Sequence, residues 1–225
     1  MTIAQLSDPH IRVGPDDQGS ANALAKAVAA VLALTPLPSA VLVTGDLAEH
    51  AAPAEYERFD ELVEPLPMPV HVLPGNHDDL DWPGPHTVDC DGTKVVLCDT
   101  HIPGRDDGHL DVEWLAGEIG DGPTIVAMHH PPILTGLDAL DAIGLPEHER
   151  AALAELLARS PQVTRVTAGH VHRTAFATLG GRQVTTCAST NLQAKLEFGS
   201  PGFTILPEPP AFLVHAGAVA HVQPV

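Results

Sequence analysis

Ala40-Val41-Leu42-Val43 is apolar throughout, rich in β-branched side chains and too short for a helix, and it is followed by Thr44-Gly45-Asp46. It reads as a buried strand whose end presents a carboxylate. Four other short apolar runs also end in side chains able to bind a metal. Leu6 leads into Asp8-Pro9-His10, Leu73 into Gly75-Asn76-His77-Asp78, Met128 into His129-His130, and Thr167 into Gly169-His170-Val171-His172. In an open α/β sheet, ligands bind beyond the carboxyl ends of the strands, so five tips far apart in sequence can converge on one site.

The rest of the chain supplies the layers. The strands expected are Thr2 to Leu6, Ala40 to Val43, Val70 to Leu73, Val95 to Cys98, Thr124 to Met128, Val163 to Thr167 and Gln183 to Cys187. Between them lie helical patterns: Ser20 to Leu34 with Ser20 as N-cap, Ala54 to Val63 after Pro53, Val112 to Ile119 after an Asp111 N-cap, and Glu147 to Arg159 after Pro146. This alternation argues a layered α/β fold in one domain over residues 1–225. The tail, about 207–225, reads as an edge-strand pair or a surface for a homodimer.

Composition bounds the partners. The chain has 225 residues, 44% of them hydrophobic, and 29 acidic against 11 basic side chains give a net charge of −18. Such a field repels nucleic-acid polymers and anionic membranes. No apolar run reaches the ~18 residues of a membrane span, and the first residues carry neither a basic region nor a cleavage site, so a cytoplasmic location is expected. Cys90, Cys98 and Cys187 form no CxxC pair and read as reduced core residues.

Fourteen histidines outnumber the Lys and Arg residues together. A DxH triplet arises about once by chance at this composition, and three occur: Asp8/His10, Asp99/His101 and Asp107/His109. Only the first belongs to the ordered set of tips. Asp, Asn and His mix hard oxygen with borderline nitrogen donors, which suits Mn, Fe, Co or Zn rather than a thiolate or all-oxygen site. Asp8, His10, Asp46, Asn76, His129, His170 and His172 are therefore candidate ligands for two divalent ions. Gly45, Gly75 and Gly169 are read as residues that let the chain turn sharply into the site.

The ordered set DPH, GD, GNHD, HHPP and GHVH resembles the calcineurin-like metallophosphoesterases. The segment Val96-Leu97-Cys98-Asp99-Thr100, with Gly108-His109-Leu110 and Glu113-Trp114-Leu115, is similar to class III cyclic nucleotide phosphodiesterases and related glycerophosphodiesterases. The resemblance implies an α/β/β/α sandwich of two mixed sheets flanked by helices, with a dinuclear centre at the strand tips. It implies that Asp8, His10 and His172 hold one metal, that Asn76, His129 and His170 hold the other, and that Asp46 bridges them. Mn²⁺ or Fe²⁺/Fe³⁺ are the expected ions, with Zn²⁺ or Co²⁺ as alternatives. His130 would be a neighbour rather than a ligand. No arginine follows Asp46 and the third motif ends in Asp rather than Glu, departures that disfavour phosphoprotein substrates.

A hydroxide bridging two cations is the expected nucleophile. His77, implied to face the substrate with Asn76, is the candidate proton donor to the leaving group, its ring oriented by Asp78 or by a backbone carbonyl. The expected substrate is a small phosphodiester, first a 3′,5′-cyclic nucleotide, then a glycerophosphodiester, then a phosphomonoester. A metal-free binding scaffold is the non-enzymatic alternative. His50, His71, His86, His148, His215 and His221 read as ordinary structural residues, while His101 and His109 lie in a loop that could touch substrate.

Overall fold

A computed structural model describes residues 1–17, 19–79 and 82–225. Strand β1 (Thr2–Leu6) is followed by α1 (Ser20–Leu32), β2 (Ala40–Thr44), α2 (Pro53–Val63) and β3 (Val70–Leu73). Next come β4 (His86–Cys90), β5 (Thr93–Leu97), α3 (Val112–Glu118), β6 (Thr124–Ala127), α4 (Asp138–Asp141) and α5 (Glu147–Ala158). The chain continues through β7 (Val163–Ala168), β8 (Ala175–Leu179), β9 (Arg182–Thr186), β10 (Gln193–Ala194), β11 (Ile205–Leu206), β12 (Ala211–Ala216) and β13 (Val219–Pro224).

Two mixed sheets result, ordered β13-β12-β1-β2-β3 and β4-β5-β6-β7-β9-β8, beside a small β10-β11 ladder. In the first sheet β1, β2 and β3 run parallel, with β12 antiparallel to β1. In the second, β5, β6, β7 and β9 run parallel, with β4 and β8 antiparallel at the edges. Parallel strands joined by helical crossovers bury both faces, which is why they read as near-continuous apolar runs. Ile3, Leu42 and Leu73 of one sheet pack against Val95, Leu97 and Ile125 of the other. The outer face of the first sheet packs on Leu24 and Val28 of α1 and Phe59 of α2, and that of the second on Leu115 of α3 and Leu153 and Leu157 of α5. The layering is α/β/β/α.

The elements follow their local chemistry, with corrections at the ends. Asp111 caps α3, accepting from the Trp114 amide at 2.8 Å, as its position before the helix implies. Ser20 is not a cap: Gly19 occupies that place, and the Asp17 carboxylate takes the Gly19 and Ser20 amides while Ser20 Oγ accepts from the Arg12 amide. Strands β4 and β8 escape the sequence reading because they are half-exposed edge strands with polar residues. The tail forms a hairpin, with β12 inside the sheet, where Phe212 and Leu213 are buried, and β13 at its edge.

Candidate metal centre

Residues beyond the ends of β1, β2, β3, β6 and β7 meet at one end of the two sheets. The backbone binds the tips together first. The Asp8 amide donates to the Gly45 carbonyl at 3.1 Å, that of His10 to Asp46 at 2.9 Å, and that of Gly169 to His129 at 3.0 Å. Side chains add cross-links, the His77 amide donating to Asp46 Oδ1 at 2.9 Å and the His170 amide to Asp8 Oδ1 at 3.0 Å.

Asp8, His10, Asp46, His170 and His172 all adopt positive φ, between 46° and 69°. Among the described residues only Ala51 and Asp91 share that conformation without being glycine. Left-handed backbone costs a side chain-bearing residue about 1–2 kcal/mol, and such costs collect where function requires a geometry. The glycines correct the sequence expectation. Gly45 has φ 90° and turns the chain, but neither Gly75 nor Gly169 has positive φ. Their role is close approach: a Cβ on Gly75 would stand 2.2 Å from Asp46 Oδ1, and one on Gly169 2.2 Å from Ser7 Oγ and 3.0 Å from Asp8 Oδ2.

All seven sequence candidates come together, in two groups sharing one carboxylate. In the first, His10 Nε2 and His172 Nε2 stand 3.0 Å apart, with Asp46 Oδ2 3.4 Å from His10 Nε2 and Asp8 Oδ1 3.8 Å from His172 Nε2. In the second, Asn76 Oδ1 lies 3.0 Å from both His129 Nε2 and His170 Nδ1, and Asp46 Oδ2 is 3.5 Å from His129 Nε2. Donors about 2.1 Å from a common ion are separated by roughly 3.0–3.5 Å, and every separation but the 3.8 Å from Asp8 to His172 has that spacing. Asp46 Oδ2 faces both.

Three of the imidazoles are pre-set for this. His129 Nδ1 donates to the Thr44 carbonyl, His172 Nδ1 to the Leu192 carbonyl and His10 Nδ1 to Glu49 Oε2, each at 2.8 Å. Each bond leaves Nε2 as the free donor atom facing inward. His130 stands beside the group but spends both nitrogens on protein, bonding Thr100 Oγ1 and the Asp106 carbonyl.

The electrostatics of the donor set suit a bound cation. Burial, with the neighbouring imidazoles, drives His170 well below its ordinary value and lowers His130 and His172 to about 3, so these rings are neutral near pH 7. Burial and then the Asp46 charge push Asp8 well above the usual carboxylate range. Burial also acts upward on Asp46, but His129, His10 and His77 outweigh it and hold its carboxyl low. Among the described residues four buried side-chain atoms lack a hydrogen-bond partner, and two of them, Asp8 Oδ2 and His170 Nε2, belong to this centre. Two close carboxylates, neutral imidazoles and an unpartnered carboxylate oxygen form a donor set that fits a pair of divalent cations.

A cleft of about 200 Å³ opens onto the centre. Arg12, Glu49, His77 and Asn191 form its polar flank, and Leu140, Ile143, Leu192, Phe203 and Ile205 its apolar one. His77 Nδ1 donates to the Glu49 carbonyl at 3.0 Å. Asp78, the other candidate for orienting that ring, is committed elsewhere: its buried carboxylate accepts from the amides of Leu47, Ala48 and Gly75 at 2.9–3.1 Å and fastens the β2 tip to the β3 tip. Asp99 likewise caps its own loop through the His101 amide. Neither His101 nor His109 lines the cleft, and His109 pairs with Glu149.

Comparison with known proteins shows the family. Residues 1–174 match the calcineurin-like phosphoesterase family. The chain belongs to the calcineurin-like phosphoesterases. This phosphoesterase is 32% identical, in an alignment of 213 positions that covers 86% of this chain and 82% of the relative, to a probable cyclic nucleotide phosphodiesterase of Synechococcus sp.. It is 28% identical to a probable glycerophosphodiester phosphodiesterase of Arcobacter nitrofigilis, covering 96% of this chain and 88% of that one. Its fold matches a dimetal phosphatase from Danio rerio at TM-score 0.69, with 15% identity over 100% of this chain and 98% of the other. The phosphoesterase is thus a metal-dependent hydrolase with the ligand clusters of a dinuclear site. Among its described residues no helix is long and apolar enough to cross a membrane.

Sequence reasoning missed Glu49 and Arg12. Arg12 donates to Glu49 Oε1 at 2.7 Å, and Glu49 lies next to His10. Glu49 sits three residues after Asp46 on the same tip, but its partners lie 37 and 39 residues away, beyond any local pattern.

Proposed function

We propose that this phosphoesterase hydrolyses a small phosphodiester, a 3′,5′-cyclic nucleotide first, and that the seven gathered residues divide between two divalent ions. Asp8, His10 and His172 would hold one, Asn76, His129 and His170 the other, and Asp46 both; Mn²⁺ or iron fits this donor set best, with Zn²⁺ or Co²⁺ as alternatives. Bound there, the pair supplies a water of lowered pKa and a clamp for the phosphate oxygens. The chain's own part is proton transfer and placement. His77, with Nδ1–H given to the Glu49 carbonyl, turns Nε2 toward the cleft and moves a proton to the departing ester oxygen. Asn76 bridges the second group and the cleft, so it would touch both ligand shell and substrate.

The apolar flank of Leu140, Ile143, Leu192, Phe203 and Ile205 beside the ligand cluster is the observation that carries the choice of diester. It suits an ester arm with a flat, poorly hydrated face better than a glycerol hydroxyl chain. A glycerophosphodiester is the second reading, supported by the likeness to the Arcobacter protein.

The test compares bis(p-nitrophenyl) phosphate with p-nitrophenyl phosphate on chelator-stripped protein returned to Mn²⁺. Metal-restored cleavage of the diester with a slow monoester is expected, followed by faster turnover of cyclic nucleotides than of glycerophosphocholine. A faster monoester, or cleavage that persists without metal, overturns the proposal.

A further inference from the structure

Among the described residues, Glu49 is the one outside the ligand set that is bonded to two imidazoles of the site. Its Oε2 accepts from His10 Nδ1 at 2.8 Å, and its backbone carbonyl accepts from His77 Nδ1 at 3.0 Å. Its remaining carboxylate oxygen, Oε1, accepts from Arg12 at 2.7 Å, so neither carboxylate oxygen is left free of the protein. The His10 and His77 rings stand edge to face with centroids 4.7 Å apart. A shift of Glu49 therefore moves both.

The segment carrying Glu49 is held from two sides. Its amide donates to the Ile11 carbonyl at 3.1 Å, and the Ile11 amide donates to Leu47 at 2.9 Å, zipping the β2 tip to the β1 tip. Asp78 grips the Leu47 and Ala48 amides from the β3 tip. Such bracing is what a residue needs if it is to fix other side chains rather than follow them.

We infer that Glu49 is the positioning residue for both imidazoles, its carboxylate setting the tautomer of His10 and its carbonyl that of His77. The inference rests on the dinuclear reading above. A carboxylate behind a ligating imidazole strengthens it as a donor, and losing such a partner typically weakens metal binding ~10–100-fold. Because the two tasks use different atoms, a side-chain substitution separates them. Glu49→Ala removes the support of His10 and leaves the carbonyl on His77.

The experiment is Mn²⁺ binding to chelator-stripped wild-type, Glu49→Ala and Glu49→Gln proteins, by equilibrium dialysis and electron paramagnetic resonance, with circular dichroism to confirm the fold. The expected result is two ions in wild type, and in Glu49→Ala one retained affinity and one weakened ~10–100-fold, with loss of the spin-coupled signal at limiting Mn²⁺. Excess Mn²⁺ should restore most diesterase turnover, because His77 keeps its partner. Glu49→Gln, which still offers His10 an acceptor, should fall between. Equal weakening of both ions, or two ions at wild-type affinity in Glu49→Ala, overturns the inference. A third ion in wild type that Glu49→Ala loses also overturns it, since Glu49 would then be a ligand with His10 and His77. Fewer than two ions in wild type overturns the dinuclear reading and this inference with it.

Discussion

Gly75→Ala puts a methyl group where the centre has no room. The added Cβ would lie 2.2 Å from Asp46 Oδ1, 2.5 Å from the Asp46 amide nitrogen and 2.7 Å from His129 Cε1, whereas ordinary contact begins at 3.4 Å. Clearing Asp46 requires a movement of ~1 Å, and the nearest atoms include backbone, which yields less readily than the end of a flexible side chain. Overpacking of this kind costs roughly 1–3 kcal/mol of stability. The catalytic cost is larger, because a ~1 Å misplacement can reduce turnover ~10²-fold, and the displaced group is the carboxylate common to both ligand groups. The matched control is Gly117→Ala in α3, where nothing lies within 4 Å of the new Cβ and helix propensity favours alanine by about 1 kcal/mol. Guanidinium unfolding, Mn²⁺ stoichiometry and bis(p-nitrophenyl) phosphate turnover would be measured on both. Gly75→Ala with two ions bound and turnover within threefold of wild type would refute the reasoning.

Other consequences can be checked in the same assays. His77→Ala should keep both ions and lose ~10²–10⁴-fold in turnover, whereas Asn76→Ala should also lose metal; equal metal loss in both would refute the division of roles. Phe203→Ala should lower kcat/KM for thymidine 5′-p-nitrophenyl phosphate several-fold more than for methyl p-nitrophenyl phosphate, and an unchanged ratio would remove the apolar flank from substrate choice. His215 is buried and neutral, lowered to about 3 by burial and then by Arg165. The folded chain therefore refuses a proton that the unfolded chain accepts, so its contribution is complete above pH 6.5 and declines as pH falls from 6.5 toward 3. That single group removes ~2 kcal/mol between pH 6.5 and 5, and His215→Gln should flatten the acid limb of unfolding free energy by about one proton.

Much of the site was legible because each ligand follows a strand whose apolar run is itself distinctive: Leu6 before Asp8, Val43 before Asp46, Met128 before His129. Strand ends in a two-sheet fold have few places to point, so the order of the tips carried the convergence. What escaped notice was encoded in pairings rather than in runs. Asp78 and Asp8 look alike in sequence, yet one spends its oxygens on three amides and the other keeps Oδ2 unpartnered. Gly75 looks like a turn residue and is instead a contact surface for Asp46. The half-exposed strands β4 and β8 lack the periodicity that marks a buried run, and their pairing partners alone define them.

The left-handed backbone at Asp8, His10, Asp46, His170 and His172 also bears on how such a centre can decay. At each of these positions glycine would sit without conformational penalty, so a change to glycine deletes a donor and relaxes the chain in one step. Loss of the chemistry is therefore cushioned in stability, and a fold of this kind has a gentle slope from catalyst to inert scaffold.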